Sequence, residues 1–253
     1  MKNLKISIIT SVYNNQETIA ETIESVLSQT YDNIEYIVVD GASTDGTIEV
    51  IEQFSDKITT FASEPDAGIY DGLNRGLALA TGDVVGFLHA DDLFAEVDVI
   101  ANVVKAFHDE AVDAVYGDLV YVSQKETSKV IRYWKSSSFS RKKLENGWMP
   151  PHPTFYVKRE VYQKYGNFDT HFKIAADYDI ILRFLGKHTC SCSYISKTLV
   201  KMRMGGASNR SLSNMVLKTK EDLLALRRNG VGHRATILLK NLSKIKQFFI
   251  KET

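Results

Sequence analysis

The sequence predicts an α/β fold: a mostly parallel but mixed sheet flanked by helices, with a helical appendage at the C-terminus. Strand-like and helix-like segments alternate over residues 4–107, which favours parallel strands joined by crossover helices. Two β-branched stretches separated by a polar turn in 114–134 indicate an antiparallel pair. Apolar residues recur at helical spacing in 211–250. With 253 residues, the chain suits one large domain with an extension.

The first half of the chain is predicted to contain four strands and four helices. Short β-branched or apolar runs predict the strands, and apolar residues spaced three or four apart predict the helices. Asn15 is a plausible cap for the first helix. The expected strands are 4–10, 34–39, 58–62 and the apolar run within 83–92 that ends before Asp91, and the expected helices are 15–29, 47–54, 69–80 and 97–107.

The second half mixes short strands with helices. We expect strands at 114–122, 129–134, 154–157 and 190–202, and helices at 159–165, 175–185 and twice within 211–250. Residues 135–151 lack a period and end in two prolines, so we predict a loop there.

Composition narrows the class of protein. Lys and Arg together number 31, as do Asp and Glu, so net charge favours no nucleic-acid partner. We expect no secretory signal, and no stretch approaches the roughly 18 apolar residues of a membrane span. A bridge between Cys190 and Cys192 would be strained. We therefore expect reduced thiols in a cytoplasmic protein, and one Cys-x-Cys is weak evidence for zinc.

Polar residues follow three of the predicted parallel strands, where the mouth of an α/β site lies. They are Ser11, Tyr13 and Asn14 after the first strand, Asp40 after the second, and Asp91 and Asp92 after the central one. Neither G-x-G-x-x-G after the first strand nor G-x-x-x-x-G-K-[ST] occurs. A divalent ion, Mg²⁺ or Mn²⁺, held by Asp91 is thus the candidate for binding phosphate. The alternative is an Asp-rich turn that caps the next helix.

Two residues on the nucleotide side have both a functional and a structural interpretation. Asp40 either terminates its strand or accepts the imide N–H of uracil with its carboxylate. Arg75 is either an ordinary exposed arginine or a partner of phosphate or base through its planar guanidinium.

Further candidates come from the second half. Asp177 lies near a predicted helix start, where the helix dipole favours an ionised carboxylate, so it is either a general base or a helix-start acid. Asp179 is two residues further and does not share its helix face. His152 is either a loop residue or an acceptor contact, and Trp148 either stacks on a sugar or anchors its loop.

The ordered set of motifs resembles the family 2 inverting glycosyltransferases with the GT-A fold, a Rossmann-like architecture. It is most similar to bacterial enzymes that build exopolysaccharides or cell-surface oligosaccharides of the cell envelope. Each motif alone is weak, but their order along residues 4–185 is specific. The matching stretches are 8–14, 36–47, 65–76, 86–92 and 176–179.

The resemblance implies a nucleotide-sugar donor, usually UDP-linked, and a metal-assisted transfer in which Asp177 is the general base. Asp91 is then the metal ligand, and Asp40 meets the base of the nucleotide. Two positions depart from the family: His89 replaces the first acid of Asp-x-Asp, and Ala176 replaces the acid before the base. The implied donor-binding residues are Ser11, Tyr13, Asn14, Asp40, Asp66, Asn74, Arg75, Ala90 and Asp91, and the acceptor-side candidates are Asp92, Trp148, His152 and Asp179.

The resemblance also divides the chain. Residues 1–205 form the GT-A-like domain, with 1–95 as its nucleotide-sugar half and 96–205 as its acceptor half. Residues 206–253 form a basic amphipathic helical extension. It is either a packed helix with a solvated face or an attachment to anionic membrane, which suits a lipid-linked acceptor.

The expected function is therefore transfer of a sugar to a hydroxyl of a glycan or lipid-linked acceptor, in the cytoplasm or at the inner face of the membrane. Two alternatives remain. His89 and Ala176 permit a non-catalytic sugar-nucleotide or glycan-binding protein. A sugar nucleotidyltransferase is less well supported, because no Gly-rich segment with a basic residue follows the first strand.

Overall fold

The computed structural model describes residues 3–108, 112–205 and 212–246. They form one nine-stranded sheet in the order β3-β2-β1-β4-β8-β6-β9-β5, with β7 paired to β6. The strands are β1 (Ile6–Val12), β2 (Ile34–Asp40), β3 (Thr60–Ser63), β4 (Val84–Phe87), β5 (Leu93–Phe94), β6 (Ala114–Val122), β7 (Val130–Trp134), β8 (Tyr156–Lys158) and β9 (Cys192–Arg203). The helices are α1 (Ile19–Leu27), α2 (Thr47–Glu52), α3 (Ile69–Leu79), α4 (Val99–Ala106), α5 (Arg141–Glu145), α6 (Arg159–Tyr165), α7 (Ala176–Ile181), α8 (Leu212–Asn229) and α9 (Arg234–Lys246).

The strands β1, β2, β3 and β4 are parallel, as predicted from the alternation of strands and helices. The register pairs Val12 at the end of β1 with Asp40 at the end of β2. Ile9 on β1 pairs with Phe87 at the end of β4. The loops that leave these three strands therefore meet at one edge of the sheet, where a ligand site of an α/β fold is expected.

The second half of the chain extends the same sheet in mixed directions. Strand β8 runs antiparallel to both β4 and β6, so the segment entering β8 lies at the edge where β4 ends. That segment is a single 3₁₀ turn, His152–Thr154. It brings His152 to the edge of the sheet that carries Asp91.

The core lies on both faces of the sheet, because β-branched residues of the central strands alternate between them. Ile37 and Val39 pack in one buried cluster, and Tyr36 and Val38 pack in the other. The first of these clusters also contains Ala225, Leu226, Val231 and Ile237 from the C-terminal helices and the turn between them. The described part of the predicted extension thus shares the core of the main domain.

Three local predictions need correction. Residues 135–151 are not wholly a loop, since Arg141–Glu145 form α5, whose start is capped by the Ser140 hydroxyl accepting from the Lys143 N–H. The predicted helix 175–185 is α-helical only to Ile181, and Leu182–Lys187 continue as a π-helix. The short strand β5 pairs with β9 and was not predicted.

Within the described ranges, no helix is both long and apolar enough to cross a membrane.

Candidate active site

The loops after β1, β2 and β3 form a compact polar cluster at the sheet edge. Ser11 is buried at the end of β1, and the Asp66 carboxylate accepts the N–H of Gly68 at 2.9 Å. A Cβ added at Gly41 would lie 2.8 Å from Asp66 Oδ2, and one at Gly72 would lie 3.1 Å from the same atom. A larger residue at either position would displace a side-chain oxygen, that of Asp66 at Gly41 and that of Ser11 at Gly72.

Asp40 shapes its loop in this structure. The side chain has no exposed surface. Its carboxylate accepts hydrogen bonds from the Ser43 N–H at 2.9 Å, the Ser63 hydroxyl at 2.7 Å and the Ser43 hydroxyl. These donors occupy most of its acceptor capacity. The predicted contact between this carboxylate and the imide of a base is not open in the present geometry.

Asn14 and Tyr13 lie in the turn after β1. Asn14 has a left-handed backbone (φ 48°), which asparagine tolerates better than most residues. Its side-chain oxygen accepts the Thr44 N–H at 2.8 Å, so it ties the first two loops together. Tyr13 is 62% exposed and is available for a stacking contact with a ligand at the mouth.

The polar groups of Asn74 and Arg75 on α3 are hydrogen-bonded to backbone groups. Asn74 accepts the Phe168 N–H at 3.0 Å and donates to the Phe168 carbonyl at 2.9 Å. Arg75 donates to the carbonyls of Glu64 at 3.2 Å and Pro65 at 2.7 Å. In this arrangement both residues hold neighbouring loops in place, and Arg75 also pairs with the carboxylates of Asp71 at 3.4 Å and Glu64 at 3.7 Å.

Asp91 and Asp92 face different surroundings although they are adjacent. Asp92 is fully buried and accepts the Arg203 N–H at 3.2 Å. Burial, with a further contribution from the charge of Asp91, raises the pKa of Asp92 well above its usual range. Asp91 is half-buried, and its carboxylate has no hydrogen-bond or ion-pair partner among the described residues. Asp92, predicted as an acceptor contact, therefore faces the interior.

The surroundings of Asp91 fit a divalent cation that a substrate helps to hold. Its carboxylate is unpartnered, and the Nδ1 of His89 next to it is buried without a hydrogen bond. Within the described ranges, no group of three or more His, Cys, Asp or Glu side chains forms a complete metal site. Mg²⁺ and Mn²⁺ are commonly bound by one or two carboxylates with substrate phosphates and water completing the shell. Asp91 is suited to that arrangement.

Asp177, on the first turn of α7, is held by two side chains from distant segments. His152 Nδ1 lies 3.1 Å from Asp177 Oδ2, and the Tyr70 hydroxyl lies 3.3 Å from Asp177 Oδ1. The side chain of Asp177 keeps 21% of its surface exposed. It is thus oriented by the protein and still open to a reactant.

The electrostatic surroundings keep Asp177 ionised. Burial alone raises its pKa, but the combined effect of His152, Lys240 and Lys218, together with a backbone hydrogen bond, leaves the pKa below its usual value. Lys240 and Lys218 belong to the C-terminal helices. At neutral pH the residue is a carboxylate, which is the state a general base needs.

His152 is a neutral partner of Asp177. The pKa of His152 is lowered to about 4, mainly by burial. The charges of His89, Lys218 and Lys240 contribute to this lowering, and the charge of Asp177 opposes it. A neutral imidazole that donates from Nδ1 to Asp177 leaves Nε2 as an acceptor. The His89 ring is 5.7 Å from the His152 ring between centroids, and the charges of both Asp91 and Asp177 act on His89. His89 therefore lies near both carboxylates.

We expect the His152 imidazole to titrate at about pH 4 in a two-dimensional NMR titration. In Asp177→Asn its pKa should fall further, because the carboxylate that favours the imidazolium is removed. The exposed His171, 88% of whose side-chain surface is accessible, serves as the internal control. Titration of His152 near its usual value of about 6.5, unaffected by Asp177→Asn, would contradict the proposed pairing.

The other two acceptor-side candidates, Trp148 and Asp179, differ in their surroundings. Trp148 packs edge-on against Tyr116 at 5.7 Å between ring centroids and also contacts Phe139. It is only partly buried. Asp179 is buried, pairs with Arg183 at 3.2 Å and accepts from Asn229 at 2.8 Å. It therefore points away from the crevice, as the two-residue spacing from Asp177 implied.

Sequence reasoning missed Tyr70 and gave His89 only as a departure from a motif. Tyr70 lies within the matching stretch 65–76, but nothing in its spacing indicated a contact with a residue 107 positions later. His89 lies two residues before Asp91, at the position of the first acid in the Asp-x-Asp motif. This position was the available signal in the sequence that His89 lies near the site. Both belong to the site because the fold brings β4, α3 and α7 together.

The sheet order and flanking helices are those of the GT-A fold, and the same architecture occurs in solved structures. TarS residues 1–349 from S. aureus, in complex with UDP-GlcNAc, match with a TM-score of 0.65 and 15% identity, covering 97% of this chain and 73% of that one. The mannosyltransferase PcManGT from Pyrobaculum calidifontis, in complex with GDP-Man and Mn²⁺, matches with a TM-score of 0.65 and 20% identity, covering 89% and 64%.

Sequence comparisons assign the family. Residues 7–174 match the family model for Glycosyl transferase family 2. An uncharacterized glycosyltransferase of Mycobacterium tuberculosis is 34% identical over 181 residues, which cover 70% of this chain and 68% of that protein. A PGL/p-HBAD biosynthesis glycosyltransferase of Mycobacterium bovis is 27% identical over 217 residues, covering 84% and 82%. The chain belongs to glycosyl transferase family 2 and is a glycosyltransferase.

Proposed function

We propose that the protein transfers a sugar, with inversion, from a UDP-linked donor to a hydroxyl of a glycan or lipid-linked acceptor. The observation that carries this proposal is the environment of Asp177, an ionised, oriented and partly exposed carboxylate at the edge of the sheet that also carries Asp91. The complex of TarS with UDP-GlcNAc supports the choice of UDP.

Asp177 acts as the general base. It takes the proton from the acceptor hydroxyl as that oxygen attacks the anomeric carbon from the face opposite the nucleotide. The bond between the anomeric carbon and the diphosphate oxygen breaks, and its electrons leave with the diphosphate. An α-linked donor thus gives a β-linked product. The N–H of neutral His152 keeps the carboxylate in one orientation, and general base assistance of this kind contributes roughly 10²–10⁴ in rate.

The donor half binds and orients the nucleotide sugar. Ser11 and Asp66 line the cluster where the loops after β1 and β3 meet, and Tyr13 offers an exposed ring at the mouth. Asp91 is the residue that holds Mn²⁺ or Mg²⁺. When bound, the ion neutralises charge on the diphosphate and stabilises it as a leaving group.

A thermal-shift screen of nucleotide sugars with Mn²⁺ present tests the donor assignment. A ligand that binds the folded protein raises its melting temperature by mass action. We expect UDP-sugars to give larger shifts than GDP- or dTDP-sugars, and the preferred donor to release UDP when a glycan acceptor is added. The anomeric configuration of the product, read by NMR, then tests inversion.

We further propose that α8 and α9 attach the protein to the inner face of an anionic membrane. Their exposed large apolar side chains include Leu238 and Leu242, with 66% and 59% of their surface accessible. The acidic residues of these two helices, Glu221 and Asp222, are both buried. The exposed surface of the described helices consequently carries basic side chains and no acidic ones. Apolar anchors with basic residues favour anionic lipid.

We expect Leu238→Ser with Leu242→Ser to lower co-sedimentation with phosphatidylglycerol vesicles by about tenfold or more, since burying one leucine contributes roughly 1.5–3 kcal/mol. Binding to neutral phosphatidylcholine vesicles should be weak for every variant. Truncation is unsuitable as a test, because α8 and α9 share the core. Val130→Ser with Ile131→Ser, which changes two exposed residues of β7, is the matched control. Equal sedimentation of both double variants and the unmodified protein would exclude the attachment.

A further inference from the structure

The backbone immediately before α7 is held by a carboxylate from the C-terminal helices. Glu221, buried on α8, accepts hydrogen bonds from the N–H groups of Lys173 at 2.9 Å, Ile174 at 2.9 Å and Ala175 at 3.0 Å. Hydrogen bonds from backbone N–H groups to a carboxylate are among the stronger ones in proteins. The acid therefore fixes the position of the peptide from which α7 begins.

The same peptide is held from the other side by Tyr70. Its hydroxyl donates to the Ile174 carbonyl at 2.7 Å, and its ring stacks on Phe168 at 5.7 Å between centroids. Ile174 is thus bound through its N–H by Glu221 and through its carbonyl by Tyr70. We refer to these hydrogen bonds of Glu221 and Tyr70 to the backbone of residues 173–175 as the α7 clamp.

The residues after Asp177 are also fixed by α8 and α9. Asn229 donates to Asp179 at 2.8 Å. Lys240 pairs with Asp222 at 2.9 Å, and its ammonium lies 3.2 Å from the centroid of the Tyr178 ring. The C-terminal helices consequently contact α7 both before and after Asp177.

We propose that Glu221 is a positioning residue for the general base, acting through the α7 clamp. The inference depends on the proposed role of Asp177. Helix α7 and the π-helix that continues it have six residues each, and together they are still short for a helix to be stable on its own in water. The direction of α7 is thus set by what holds its ends, and this direction sets where the Asp177 carboxylate lies relative to the acceptor hydroxyl. Glu221 and the helices that carry it lie beyond residues 7–174, which match the family model.

The test is Glu221→Gln, which keeps the shape of the side chain but presents an amide to three N–H donors. We expect kcat for hydrolysis of UDP-N-acetylglucosamine and UDP-glucose, followed by UDP release, to fall roughly 10–100-fold, as small misplacements of a catalytic group do. The KM for the donor and the calorimetric affinity for UDP should stay within about twofold, since Glu221 lies outside the donor half. Thr219→Ala, an exposed hydroxyl on the same helix, should match the unmodified protein.

Glu221→Asp, which keeps the charge but shortens the reach to the three N–H groups, decides the matter if Glu221→Gln does not fold, and the same loss of kcat at constant KM is expected. Tyr70→Phe keeps the stacked ring and removes the hydroxyl contacts with both Ile174 and Asp177, so its loss of kcat should be at least as large. A folded Glu221→Gln with unchanged kcat, or equal losses in UDP affinity and kcat, overturns the inference. Asp177→Asn, assayed alongside, separates the two proposals: if it is inactive while Glu221→Gln is fully active, only the positioning role is wrong.

Discussion

Asp177→Asn should abolish sugar transfer and leave UDP binding intact. The amide has nearly the same shape but cannot accept the proton of the attacking hydroxyl, so the rate should fall by roughly 10²–10⁴. Tyr70 and His152 can still contact the amide, so the local structure should persist. Affinity for UDP, measured by calorimetry, should change little because the residue lies on α7, outside the loops after β1, β2 and β3.

A matched control for this substitution is Asp56→Asn, which removes an exposed carboxylate from the turn after α2. It should transfer sugar at the rate of the unmodified protein. Transfer at that same rate by Asp177→Asn would refute the assignment of the general base. A parallel loss of UDP affinity in Asp177→Asn would instead indicate that the residue supports donor binding.

The convergence of the site was predictable from the sequence because it follows from strand direction alone. Polar residues after three parallel strands meet at one edge wherever the strands lie in the sheet. That reasoning led to Ser11, at the end of β1, and to Asp91, in the loop after β4, and their roles in donor binding stay predictions. Asp177 required the resemblance to the family, because a helix-start aspartate is common and its neighbours gave no independent signal.

The partners of individual side chains were not predictable, since they depend on contacts between distant parts of the chain. Asp40 and Asn74 resemble ligand contacts in sequence, yet each is occupied by groups that tertiary packing brings in. No contact was predicted for Glu221 or Lys240 within the basic extension, yet both are buried and contact α7 or the residues just before it. Amphipathic periodicity identifies a buried face but does not indicate which buried charges are paired.

The Asp91→Asn substitution should remove the metal dependence of UDP binding. In the unmodified protein we expect Mn²⁺ to raise the affinity for UDP by about tenfold or more over that in EDTA, because metal coordination of phosphate oxygens contributes several kcal/mol. An amide is a weaker ligand for a hard cation than a carboxylate. The variant should therefore bind UDP equally weakly with and without Mn²⁺ in a calorimetric titration.

Glu96→Gln is the appropriate control for this experiment, because it removes an exposed carboxylate five residues further along the same segment. It should retain the full response to Mn²⁺. If the unmodified protein binds UDP equally well in EDTA and in Mn²⁺, Asp91 does not hold a metal. The phosphate charge must then be met by protein groups alone. Dependence on Mn²⁺ that persists in Asp91→Asn would move the ligand role to another residue, and His89, with its unpartnered Nδ1, is the first to substitute.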